Sequence, residues 1–91
     1  MAVTVRIPTQ LRELSGGASE ISTDGGTVAA VLAGLDAAHP GFRERLFDDK
    51  GELRRFVNVF VADEDIRFLQ GVDTEVAPGV TVSIVPAVAG G

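Results

Sequence analysis

The residues able to do chemistry are few, and they lie far apart along the chain. His39 is the sole histidine. It precedes Pro40 at the end of a helix-like segment, where an imidazole interacts favourably with the last carbonyls. No nucleophile or metal-ligand spacing accompanies it, so its expected role is structural. Cysteine is absent, which removes thiol nucleophiles, disulfides and thiolate metal sites. The acidic run Asp63-Glu64-Asp65 lacks the alternating ligand positions, central glycine and later glutamate of a calcium loop. Together with Asp48-Asp49 it reads as a solvated turn whose charge suits a basic partner. Gly16-Gly17 and Gly25-Gly26 carry neither GxGxxG nor Walker spacing and read as turns.

What stands out is the end of the chain, PAVAGG from Pro86 to Gly91. Without Cβ atoms, Gly90-Gly91 form a thin, permissive thread that can enter a narrow channel and bring a terminal carboxylate beside a bound reagent. An α-carboxyl with a pKa of about 3.5 is ionised at neutral pH and ready to attack phosphorus. A carboxylate is a poor acyl donor until it carries a good leaving group. Adenylation by ATP, on a partner enzyme with its own magnesium, would supply one. On this reading the chain is a substrate and carrier, not an enzyme, and binds no cofactor or metal of its own.

Such a tail needs a rigid platform, and the apolar pattern predicts one. Val3, Val5 and Ile7 alternate with Thr4 and Arg6 at period two, a half-buried strand closed by Pro8. After a loop carrying Leu11 and Leu14, the Ser15-Gly16-Gly17 turn leads into a second strand, Ala18 to Ser22, centred on Ile21 and paired antiparallel with the first. Thr27 can cap a helix whose apolar positions Val28, Val31, Leu32 and Leu35 follow helical spacing, with Pro40-Gly41 as its stop. Gly34 inside that helix costs about 1 kcal/mol relative to Ala, which points to a close packing contact. Phe42 and Leu46 sit one helical turn apart in a short second segment, and Asp48 to Gly51 reads as an exposed turn.

The strongest strand signal, Leu53 to Ala62, puts Val57, Val59 and Val61 on one face and Phe56, Asn58 and Phe60 on the other. A further short strand is expected over Ile66 to Leu69. Pro78-Gly79 turns into the last strand, Val80 to Val85, with Val82 and Ile84 sharing a face. The order is ββαββ followed by a final β. One main helix can cover only one face of such a sheet. If the valines pack under it, Phe56 and Phe60 lie on the uncovered face near Val85, where two phenylalanines in a cluster form a candidate docking surface.

Composition sets the remaining bounds. At 91 residues, 45% apolar and 23% charged, the chain suits a single folded domain. The expected division is a domain over 1–86 and a tail over 87–91. The net charge of −5 argues against nucleic acid and anionic membrane as partners, both of which call for clustered Lys and Arg. The first residues lack the basic and apolar regions of a secretory signal, and no apolar run approaches a membrane span, so the expected location is the cytoplasm.

The element order, the FVNVFV strand, the turn at Asp73-Thr74, the Pro78-Gly79 turn and the PAVAGG tail together resemble the ThiS/MoaD family of ubiquitin-like β-grasp sulfur carriers. The resemblance spans essentially the whole chain. RFVNVFVADEDIRF (Arg55 to Phe68) and VPAVAGG (Val85 to Gly91) look most like the branch that serves cysteine biosynthesis. It implies an α+β fold, a mixed sheet of about five strands with one main helix on one face. It also implies a cycle centred on Gly91: a MoeB-type enzyme uses ATP and Mg to adenylate the carboxylate, and a sulfur source replaces AMP to leave a thiocarboxylate. The acceptor implied is a cysteine synthase dependent on pyridoxal phosphate (PLP), followed by a zinc-dependent peptidase that releases the product. By the same resemblance Val88, Ala89 and Gly90 thread into the partner, and Phe56, Phe60 and Val85 form the docking patch. Other members of the family supply molybdopterin or thiamin synthesis, and a ubiquitin-like protein modifier would use the same tail.

Overall fold

The computed structural model describes residues 2–54 and 57–86. Phe56 and the tail residues Val88, Ala89, Gly90 and Gly91 lie outside the described residues, as do Met1, Arg55 and Ala87.

Strand β1 (Ala2–Arg6) pairs antiparallel with β2 (Glu20–Asp24), with Val5 opposite Ile21. On its other side β1 runs parallel to β7 (Thr81–Pro86), with Val5 opposite Val82. Next comes β4 (Val57–Val61), antiparallel to β7, and β5 (Glu64–Asp65) forms the far edge, giving the order β2-β1-β7-β4-β5. A second small sheet joins β3 (Gly26–Thr27) to β6 (Glu75–Val76). The first and last strands therefore lie side by side in the middle of the main sheet.

Helix α1 (Val28–Ala38) begins where the Thr27 hydroxyl accepts from the Ala30 N–H at 3.2 Å, the expected N-cap. Val28, Val31, Leu32 and Leu35 are buried in one core cluster with Val3, Val5, Val59, Val82 and Ile84 of the sheet and with Ile7 just beyond β1. Burying each such side chain contributes about 1.5–3 kcal/mol before entropy is counted. The close contact expected at Gly34 is real: a Cβ there would meet the Thr23 hydroxyl at 2.5 Å. His39 ends α1, its backbone N–H donating to the Leu35 carbonyl at 2.9 Å. Asp36 then accepts from the N–H groups of Gly41 (3.3 Å) and Arg43 (2.9 Å), which sets the start of α2 (Phe42–Leu46). Phe42 and Leu46 are fully buried in the same core.

The sequence expectations need correction at several places. The segment after the acidic run is not a strand over Ile66 to Leu69. Pairing is confined to Glu64–Asp65, and Ile66–Phe68 is a 3-10 turn. The cause is local: the Asp65 carboxylate accepts from the Arg67 N–H at 2.9 Å, offering the backbone a partner other than β4, while Ile66 drops into the core. Leu53 does not extend β4 but bridges to Phe47. The loop of Leu11 and Leu14 is a 3-10 helix, Thr9–Ser15, and β2 begins two residues later than expected because Ala18 N–H closes the preceding turn on Ser15. The short pair β3 and β6 carried no signal strong enough to predict.

Candidate docking face and tail root

The site is built from the alternation of β4 and β7. Val57, Val59 and Val61 are buried in the core shared with α1, which leaves Asn58 and Phe60 half-buried on the opposite face. In β7, Val82 and Ile84 point to the core, and Val85 is 44% exposed. The register sets Asn58 opposite Val85 and Phe60 opposite Ser83. Phe60 and Val85 are thus diagonal neighbours, roughly 7–8 Å apart at the backbone and within reach of an aromatic ring. The structure brings these two predicted residues together on the face away from α1.

A polar group that the sequence reading missed adjoins them. Asp65 stands opposite Phe60 on β5. Its carboxylate takes Nη2 of Arg67 at 3.0 Å and Nε at 3.3 Å, and the same Nη2 donates to the Asn58 side-chain oxygen. This side-chain hydrogen bond from Arg67, followed by the one from the Arg67 backbone N–H, holds the Asp65 carboxyl below the usual carboxylate range. The Arg67 guanidinium is correspondingly held further in its charged form, Asp65 again being the cause. The spacing Asp-x-Arg after a hairpin turn was the available signal. The apolar pattern of Ile66 to Leu69 hides it, because it points to a strand in place of the turn that closes Asp65 and Arg67 together.

Where β7 ends, the sheet opens into a groove of about 590 Å³, lined on one side by Ser83, Val85 and Pro86 and on the other by Arg6, Pro8 and Arg12. Arg12 is fixed by its Nε, which donates to the Ile7 carbonyl at 3.1 Å. Arg6 pairs with Glu20 at 4.0 Å, with both side chains more than half exposed. Pro86, the last described residue, lies on the rim of this groove.

His39 sits at the end of α1, away from these residues in the sequence and the fold. Asp63 and Glu64 are exposed, Asp63 in a turn with φ +73°. Among the described residues no three His, Cys, Asp or Glu side chains are placed to hold a metal ion. No described helix is long and apolar enough to cross a membrane. Phe68, expected on a strand face, projects from the 3-10 turn and is 87% exposed.

The ThiS family model matches residues 5–91. The chain is 50% identical over 93 residues to the sulfur carrier protein CysO of Mycobacterium tuberculosis, covering 100% of both chains. A chain in the crystal structure of the Amycolatopsis orientalis BexX/CysO complex superposes with a TM-score of 0.91 at 45% identity, over 98% of this chain and 99% of that one. Small archaeal modifier protein 3 of Haloferax volcanii is 40% identical over 68 residues, 75% of this chain and 73% of the relative.

Proposed function

The chain belongs to the ThiS family, and from that premise we propose that it is a sulfur carrier of the CysO kind, working through the carboxylate of Gly91. The observation that carries the reading is the full-length likeness to CysO, in a sequence whose last strand is followed at once by AVAGG.

In the proposed cycle a carboxylate oxygen of Gly91 attacks the α-phosphorus of ATP held with Mg on a MoeB-type enzyme. The bond to pyrophosphate breaks and an acyl adenylate forms. A sulfide-equivalent donor then displaces AMP, making the C–S bond of a thiocarboxylate. The sulfur is anionic at neutral pH yet tethered, which raises its effective concentration at an acceptor. The acceptor proposed is a PLP-dependent cysteine synthase, with a zinc-dependent peptidase releasing the product, all in the cytoplasm. Ala87 to Gly91 act as the tail of the domain, with Val88, Ala89 and Gly90 entering the partner's channel. Phe56, Phe60 and Val85 form the docking patch. That a CysO relative occurs in a complex with BexX supports docking to a protein partner.

The test is to incubate the chain with the adenylating enzyme, MgATP and sulfide and record its intact mass. The expected result is the gain of one oxygen-to-sulfur exchange, located at Gly91. Absence of that exchange sinks the reading. Removing Gly91 should abolish it while leaving the thermal midpoint unchanged, because the residue lies beyond the last strand.

A second reading is favoured by the likeness to small archaeal modifier protein 3. The same activated carboxylate would then be joined to lysines of other proteins. Lysine adducts ending in the Gly90-Gly91 remnant, in cells where no thiocarboxylate accumulates, would replace the carrier reading.

A further inference from the structure

The two ends of the main sheet differ in charge. The chain carries a net −5, and the opposite end of the sheet is acidic. Asp24 pairs with Ala2 there, and the turn holding Asp63 bonds to Thr81 through the Ala62 N–H. Glu64 follows directly, and all three acidic side chains belong to exposed residues. At the tail end the groove is walled instead by Arg6 and Arg12. Glu20 is the acidic residue on its wall; it pairs with Arg6 at 4.0 Å, and because both side chains are more than half exposed the pairing is weak. Glu13, next to Arg12, turns to Arg45 at 3.5 Å.

We infer that this groove receives an acidic segment of the protein that takes up the tail. The inference rests on the carrier reading and adds the chemistry of the partner. Five residues follow Pro86, and fully extended they reach no more than about 17 Å. A partner that holds Gly91 in its own site must therefore lie against the end of the sheet where Pro86 forms part of the groove wall. The guanidinium of Arg12 is aimed by its bond to Ile7 and offers a planar fork to a carboxylate. Arg6 stands beside it on the wall, opposite Ser83 in the register. A basic partner surface, which the overall charge favours, would be repelled at this end, so the two arginines select against the commoner complement of an acidic protein.

ATP–pyrophosphate exchange catalysed by the MoeB-type adenylating enzyme reads the inference directly, with the full-length chain as the varied substrate. Arg6→Glu and Arg12→Glu should each raise the KM for the carrier about tenfold with kcat held, the double variant more, and Arg12→Gln less. Added salt should raise the KM of the natural chain and leave that of the Arg6→Gln/Arg12→Gln variant nearly flat. Arg12 also anchors Ile7, so its variants are checked by thermal midpoint. Arg6, an exposed strand residue, keeps the test open if they unfold. Unchanged KM in Arg6→Glu and in folded Arg12→Glu overturns the inference. So does a lowered KM, which would mean that the groove holds the chain's own terminal carboxylate and competes with the partner. Absence of exchange with the natural chain is a different failure: it removes the carrier reading and takes this inference with it.

Discussion

Alternate residues of a single strand, β4, meet opposite fates. Val57, Val59 and Val61 are buried in the core shared with α1, whereas Asn58 and Phe60 remain half-buried on the other face. The same holds across β7, with Val82 and Ile84 buried and Val85 exposed. The covered face is a close-packed core in which lost methylenes are felt as stability. On the open face Phe60 is half-buried and Val85 exposed, so these apolar groups hold less of the fold together than the buried valines do. Strand periodicity thus places two separable properties one residue apart, and a slip of one residue in register would exchange them.

The contrast can be broken in order of expected effect. Leu35→Ala, on the fully buried side of α1, should cost about 2–5 kcal/mol of stability, read by denaturant titration. A loss below 1 kcal/mol would mean that the covered face is not the packed core described. Phe60→Ser should do the reverse, raising the carrier's KM in pyrophosphate exchange about tenfold while costing much less stability than Leu35→Ala. Equal effects of both variants on stability, with no change in KM, would erase the distinction between the faces.

Gly34→Ala tests how tightly helix and sheet approach. The helix-propensity gain of about 1 kcal/mol should be cancelled in the natural background and recovered when Thr23 is also Ala. Additivity of the two substitutions would show that Thr23 does not oppose a Cβ at Gly34. The smallest effect concerns Asp65. Its carboxyl titrates below the ordinary value in the folded chain because of Arg67. It therefore contributes stability fully above the unfolded value of about 3.9, and that contribution is lost as pH falls through the folded value. Arg67→Ala should move the Asp65 titration back up, measured by carboxyl NMR. An unmoved titration would place the cause elsewhere.

Much of the covered face was legible because it depends on residue type and period. Val3, Val5 and Ile7, the stripe Val28, Val31, Leu32 and Leu35, and the valines of β4 each declare a buried side without reference to the rest of the chain. Thr27 as a cap and Gly34 as a contact were legible for the same local reasons. Errors fell where a side chain competes with the backbone for hydrogen bonds. Asp65 diverts its successors into a 3-10 turn, and nothing in the apolar content of Ile66 and Leu69 announces it. The short strands β3 and β6 are too brief to show any period, and exist because α1 and its flanking loops bring Gly26 to Val76.

The sequence by itself determined the alternation of the strands, the amphipathic helix, the absence of cysteine and the Gly90-Gly91 pair, all properties of residues and their neighbours along the chain. Tertiary structure alone decided which residues distant in sequence share a surface. Parallel pairing of β1 with β7 carries Arg6 and Arg12 to the end of β7 at Pro86, more than seventy positions away. The β4–β7 register sets Phe60 diagonal to Val85. Register is fixed by the summed packing of a whole face, which no local pattern contains.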